Sequence, residues 1–224
     1  MNEIKHHLTD KILLGYAAGT LPEAFSLVVA THISMCDECR ARLGAFDAIG
    51  GTLLESSDDL MDGNMPAVDF DATLERIEAG SGDEEAEKSA PIEAPESAST
   101  LPVALQNYIG GDLDAVKWRP VGMGVRQAIL KTSRSASVRL LHIPAGTAVP
   151  DHGHHGTEMT IVLQGAFRDE FDRFGPGDVE IATEDLEHTP VAEEGVDCIC
   201  LAATDAPLKF NGLLQRIAQP FLKI

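Results

Sequence analysis

The chain has 224 residues, with 36 acidic against 17 basic side chains and a formal charge of −19. That length admits one large or two modest domains. The charge excludes direct binding of nucleic acid, whose phosphates need clustered Lys and Arg, and makes basic proteins the expected partners. The most apolar early run, Ile12 to Gly19, is far short of the ~20 residues of a membrane helix, and no export signal is visible. A cytoplasmic protein with no membrane contact is therefore expected. Its four cysteines, as one CxxC and one CxC, favour metal or redox chemistry over a disulfide framework.

The first 80 residues read as helical. Thr9 caps a helix over 10–18, with Asp10 in its first turn and Gly19 past its end. Pro22 suits the first position of a second helix running to about Ser34, in which Phe25, Val28, Val29 and His32 share one face. Cys36 starts a third helix, with Asp37 and Glu38 near its positive end. After a polar stretch from Glu55 to Asn64, Pro66 opens a fourth helix over 66–79, where Phe70, Leu74 and Ile77 fall in register. The charge is uneven: residues 1–80 carry five bases and fourteen acids, and residues 81–100 one base and six acids. Residues 81–100 are rich in Glu, Ser, Ala and Pro and too poor in large apolar groups to order themselves, so they read as a flexible acidic linker.

From about residue 101 the texture changes to short β-type runs over 125–131, 138–143, 159–167, 179–182 and 196–202, punctuated by Gly and Pro. Strands at this spacing argue a sandwich or small barrel. Residues 213–222 are expected as a closing helix. The fold class is thus two-domain: a small all-α helical module over 1–80 and an all-β barrel or jelly roll over 101–224.

Two constellations carry chemistry. His32-x3-Cys36-x2-Cys39 lies at i, i+4 and i+7, so its members converge on one side of a helical turn and its successor. Two thiolates and an imidazole are part of a closed zinc set, which needs a fourth ligand; His6 or His7 is the obvious source, and spacing alone does not choose between them. A redox CxxC without metal and a buried histidine beside two unrelated thiols are the competing readings. In a helical module of about 80 residues, a closed zinc site contributes on the order of 10 kcal/mol to folding.

Gly146-x5-His152-x-His154-x3-Glu158-x6-Gly165 forms the second. His152 and His154, two apart on a strand, point to one face. Glu158 reaches the same pocket after the turn at Gly156, Gly165 permits a tight turn, and His188 supplies a third imidazole from a facing strand. Three imidazoles and a carboxylate suit zinc or another divalent transition metal. The competing reading is surface histidines in a Gly-rich loop. His142 and His155 read as structural or exposed. Cys198 and Cys200 alternate on a strand; in so apolar a run they read first as core and second as an oxidant-sensitive redox pair.

His-His-Leu-Thr-Asp at 6–10, Tyr-Ala-Ala-Gly-Thr-Leu-Pro-Glu at 16–23 and Ala-Thr-His-x3-Cys-x2-Cys-Arg at 30–40 resemble the zinc-binding anti-sigma factors, most closely the ChrR family. Gly-x5-His-x-His-x3-Glu-x6-Gly is similarly the first cupin motif; the second is degraded around Gly175-Pro-Gly177-Asp178. The resemblance spans nearly the whole chain apart from the linker. It implies the zinc ligands His7, His32, Cys36 and Cys39. It also implies a helical module that binds an extracytoplasmic-function-type sigma factor, and a cupin that answers singlet oxygen and related oxidants. No catalytic residue is expected. The alternative is a metal-dependent cupin enzyme of oxygenase or isomerase type with a helical partner-binding domain, since an open coordination position at a three-His site supports such chemistry.

Overall fold

A computed structural model describes residues 3–56, 70–80, 99–133 and 135–210. It forms two compact units, residues 1–47 with 100–224, and residues 48–99.

Helix α1 (Asp10–Ala17) begins where its cap requires. Thr9 is extended, and its hydroxyl accepts from Ile12 N at 3.4 Å. Past its end, Gly19 takes a φ of 64°, a conformation open to glycine at little cost. In α2 (Glu23–Met35), Pro22 stands one place outside the helix as its cap, rather than as its first residue. Cys36 does not open the third helix either. It is extended (φ −114°, ψ 107°) and closes α2, its N–H bonded to His32 O at 2.8 Å. Helix α3 then runs Asp37–Glu55, taking in the start of the stretch expected to be irregular.

The unit of residues 48–99 includes the end of α3 and helix α4 (Phe70–Gly80). Ile49, Leu54 and Leu74 are exposed in it. The expected helix start at 66–69, residues 57–64 of the polar stretch, the linker over 81–98 and the closing helix over 213–222 lie outside the described residues.

A short helix, α5 (Val103–Ile109), precedes the strands and ends at Gly110 in the left-handed conformation. The strands are β1 (Arg119–Gly122), β2 (Val125–Leu130), β3 (Ser137–Ile143), β4 (His152–His154), β5 (Glu158–Gln164) and β6 (Phe167–Arg168), followed by β7 (Arg173–Phe174), β8 (Val179–Ala182), β9 (Glu187–His188), β10 (Val191–Ala192), β11 (Cys198–Thr204) and β12 (Leu208–Phe210). Six form an antiparallel sheet in the order β1-β2-β3-β11-β5-β8; β10-β6-β7 and β12-β4-β9 form two smaller sheets. The all-β half of the expected fold is as read, with β5 ending at Gln164. There Gly165 turns the chain at φ 68°, and a Cβ on it would lie 2.6 Å from Asp197 O.

The large sheet is buried on both faces. Leu140, Ile161, Leu163, Ile199 and Leu201 join Leu13, Phe25, Val28 and Leu105 in one core, so α1, α2 and α5 cover this face. On the other face Ile143, Val162, Cys198 and Cys200 pack with Phe167 and Phe174 in the barrel interior. Double coverage explains why β11 reads as a continuous apolar run rather than an alternating one. It also explains why α2 buries Ala24, Phe25, Leu27, Val28, Val29, Thr31 and His32, more than one helical stripe. Each large apolar side chain so buried contributes roughly 1.5–3 kcal/mol. Helices α1 and α2 and the large sheet therefore share one core.

Candidate metal centres

His32 sits in the last turn of α2, Cys36 at its end and Cys39 in the first turn of α3, so the chain reversal at Cys36 folds all three side chains inward. Cys36 Sγ accepts from Cys39 N at 3.4 Å. The segment before α1 delivers His7, whose Nδ1 lies 3.3 Å from Cys36 Sγ and 3.7 Å from Cys39 Sγ. One ligand atom from each of His7, His32, Cys36 and Cys39 lies within 4.8 Å of every other. His6 points elsewhere: its Nε2 meets Asp172 Oδ2 at 2.9 Å and its ring packs against Phe174. Of the two histidines that spacing left open, His7 is the one whose nitrogen lies beside both sulfurs.

His32 is fully buried, and its Nδ1 donates to Gly177 O at 2.9 Å. That bond places the proton on Nδ1 and leaves Nε2 as the lone-pair donor, a buried atom with no hydrogen-bond partner. Burial pushes the His32 pKa down to about 4 against the pull of the Gly177 bond, so the ring stays neutral at pH 7. Burial also raises the Cys39 thiol, so a metal that takes its thiolate must displace a proton. His7 Nε2, on the far side of its ring, faces Glu38 at 3.4 Å. A two-thiolate, two-imidazole set with one orphaned ring nitrogen fits a tetrahedral ion.

The second cluster is built by strand register. His152 and His154 share a face of β4, and His152 lies directly opposite His188 across the β4–β9 pair. The ring centroids are 4.8 Å apart for His152 and His188, 5.2 Å for His152 and His154, and 5.5 Å for His154 and His188. All three are buried, and both nitrogens of His154 and Nε2 of His188 have no hydrogen-bond partner. This too fits a metal. Burial lowers the pKa of His152 and His154.

Glu158, at the start of β5, does not bring an oxygen into the group of mutually close ligand atoms formed by the three histidines. Its Oε1 instead accepts from Thr160 Oγ1 at 3.1 Å, while its charge lifts the pKa of His152 and His154 against burial. Two carboxylates missed in the sequence take positions behind His188. Its Nδ1 lies 3.0 Å from Asp169 Oδ2 and 3.1 Å from Glu180 Oε1. Burial alone would lower the His188 pKa, but these two partners push it up to about 9. Burial raises the carboxyl of Glu180. The signal for Glu180 was present: an acid in the middle of an apolar strand of four residues. Asp169 gave none, because its Oδ1 first closes a turn by accepting from Phe171 N and Asp172 N at 2.8 Å each.

Cys198 and Cys200 are buried with their sulfurs 3.4 Å apart. The hydrogen bond shared with Cys198 and burial together hold the Cys200 thiol well above its ordinary range. His142 is held between Asp197, at 3.2 Å, and Arg126, and His155 is exposed.

Comparison with known proteins agrees with this arrangement. A sequence family described as the ChrR Cupin-like domain matches residues 106–206. The anti-sigma-E factor ChrR of Cereibacter sphaeroides is 56% identical over 221 residues, covering 99% of each chain. The crystal structure of Rhodobacter sphaeroides SigE in complex with the anti-sigma ChrR matches with 55% identity and a TM-score of 0.72, covering 91% of this chain and all of that one. Helices carrying a His2Cys2 cluster, a cupin barrel carrying three buried histidines, and identity at this level along the whole length lead to one conclusion: the chain belongs to the ChrR family of anti-sigma factors.

Proposed function

We propose that this chain is a zinc-dependent anti-sigma factor that binds an extracytoplasmic-function-type sigma factor and withholds it from core RNA polymerase. Release follows oxidative stress of the singlet-oxygen kind, sensed through the cupin barrel. One observation carries the reading: a His7–His32–Cys36–Cys39 cluster, buried except for its half-buried His7, in a chain 56% identical to an anti-sigma-E factor across 99% of its length.

In this reading His7, His32, Cys36 and Cys39 hold zinc, which ties the N-terminal segment to the α2–α3 junction. Its role is structural, since four protein ligands leave no position for substrate. His152, His154 and His188 hold zinc or another divalent transition metal, and Glu158, whose Oε1 meets Thr160, joins them as the carboxylate by turning toward the ion. Residues 1–80 form the sigma-binding region, 81–100 a linker, and 101–224 the sensing barrel. The exposed apolar side chains Ile49, Leu54 and Leu74 and the excess acidity of residues 1–80 suit capture of a basic partner that also offers apolar surface. Cys198 and Cys200 are a candidate redox pair, and their burial makes barrel opening a precondition of their oxidation. No helix among the described residues is long and apolar enough to cross a membrane. The reading places the protein in the cytoplasm, with no direct contact to DNA.

Co-expression with candidate sigma factors followed by affinity purification tests this. The wild-type chain is expected to retain one sigma factor in equal amount, and Cys36→Ala to lose both its zinc and the partner. Retention of the partner by a zinc-free Cys36→Ala chain would defeat the proposal.

A further inference from the structure

The segment before α1 lies along the turn by which the barrel enters β8. Lys5 N and His6 N both donate to Asp178 Oδ1, at 2.6 and 2.9 Å. Val179 N returns a bond to His6 O at 3.2 Å. One residue earlier, Gly177 O accepts from the ring of His32 at 2.9 Å. Gly177 has a φ of +90°, and a Cβ on it would lie 2.5 Å from Ile4 Cδ1. The N-terminal segment therefore sits so close to the turn that a side chain at 177 would collide with it. Asp178 is itself held rigid: it is buried, and its Oδ2 accepts from Gly175 N at 2.8 Å.

These contacts do not fall at random over the shared core. His7 follows directly on the two N–H groups that Asp178 grips, and His32 takes its ring orientation from Gly177. Two of the four candidate ligands thus owe their placement to barrel residues, while Cys36 and Cys39 owe theirs to the α2–α3 junction. A ligand's non-coordinating nitrogen bound to a backbone carbonyl is how metal sites fix tautomer and ring orientation. Ordinary packing between two pieces of chain would need none of this: apolar contact at Ile4 and Phe174 would suffice.

We propose that the Gly175–Val179 turn of the barrel is the outer shell of the N-terminal metal site, with Asp178 and Gly177 as positioning residues that set how tightly the metal is held. The inference rests on the ligand assignment above and goes beyond it by locating part of that site's affinity in the other half of the chain. Glu180, two residues after Asp178, bonds His188 at 3.1 Å. One strand entry therefore carries contacts to both clusters.

The test uses the full chain loaded with cobalt(II), whose thiolate charge-transfer absorption reports the cysteine-containing site and not the three-histidine site. The rate at which this band is lost to excess EDTA is compared among wild type, Asp178→Ala, Asp178→Asn and Lys5→Pro. Asp178→Ala should lose the band about tenfold faster or more, the usual effect of removing an outer-shell partner. Asp178→Asn, which keeps one acceptor oxygen, should fall between. Lys5→Pro removes one donor without touching the barrel, so the band should be lost faster while the thermal melt followed by Trp118 fluorescence is unchanged. If Asp178→Ala unfolds the barrel, Lys5→Pro decides alone. Wild-type rates in Lys5→Pro and Asp178→Ala, with a folded barrel, overturn the proposal. A wild-type chain with no thiolate band overturns the ligand assignment and the proposal with it.

Discussion

The imidazole of His188 meets the carboxylate of Asp169 at 3.0 Å, and each side chain is only 1% exposed. Nδ1 is thereby committed to the carboxylate, and Nε2 is turned toward His152 and His154. Such a carboxylate–histidine pair raises the basicity of a ligand and fixes its orientation. Replacing Asp169 by Asn should weaken metal binding at the three-histidine cluster by about 10–100-fold while leaving the cysteine-containing site loaded. Competition with a fluorescent chelator, with metal per chain counted before and after, checks it. Unchanged affinity in Asp169→Asn would mean that His188 is not a ligand or is oriented by Glu180 alone.

His188 and His32 should bend the pH–stability curve of the metal-free chain in opposite directions. The His188 pKa is raised to about 9, above the ordinary 6.5 of an unfolded chain. Its contribution is therefore complete below pH 6.5 and lost as pH rises through 9. The His32 pKa is lowered to about 4, so stability falls as pH drops from 6.5 toward 4, where the unfolded chain takes up a proton that the folded one refuses. Each effect is on the order of 3 kcal/mol. Melting temperatures of chelator-treated protein from pH 4 to 10 should show both limbs. Asp169→Asn should flatten the alkaline one and His32→Gln the acid one. Parallel curves for wild type and both variants would contradict these assignments.

His6 and His7 are neighbours in sequence with separate tasks in the fold. His7→Ala should abolish metal retention at the N-terminal cluster, because its Nδ1 lies near both sulfurs whereas the His6 ring meets Asp172. His6→Ala should keep the metal, since the bond to Asp178 is made by its backbone N–H and survives the loss of the ring. Elemental analysis of the two purified variants separates them, and equal metal content in both would refute the assignment.

What the sequence made legible divides along local and non-local lines. His32, Cys36 and Cys39 are ordered by one helix end, so their spacing was sufficient. His152 and His154 needed only the two-residue period of a strand. The choice of His7 over His6 depended on which backbone Asp178 holds, 172 residues away from His6, and no local pattern carries that. Asp169 and Glu180 act on a histidine brought to them by sheet register. The packing of α1 and α2 on the large sheet went unread, although Met159 to Leu163 is apolar at every position but Thr160 and so calls for cover on both faces.

That covering makes the last prediction sharper. A fragment of residues 1–80 contains the whole N-terminal cluster and, on the proposed function, should bind the sigma factor. Yet the apolar surface of α2 that packs with Leu140, Ile161 and Leu201 in the full chain is bare in the fragment. The fragment should therefore bind sigma but melt well below the full chain and self-associate at high concentration unless sigma is present, and it should lose its fold entirely when zinc is stripped. Size-exclusion chromatography and thermal melts, with and without sigma and with and without chelator, measure all three. The full chain stripped of metal should keep a folded barrel, because Ile143, Val162, Phe167 and Phe174 pack its inner face apart from the cluster's cysteines. A fragment that folds without metal yet still captures sigma would show that the cluster is not what shapes the binding face. A fragment that holds zinc but cannot bind sigma would move the binding surface outside residues 1–80.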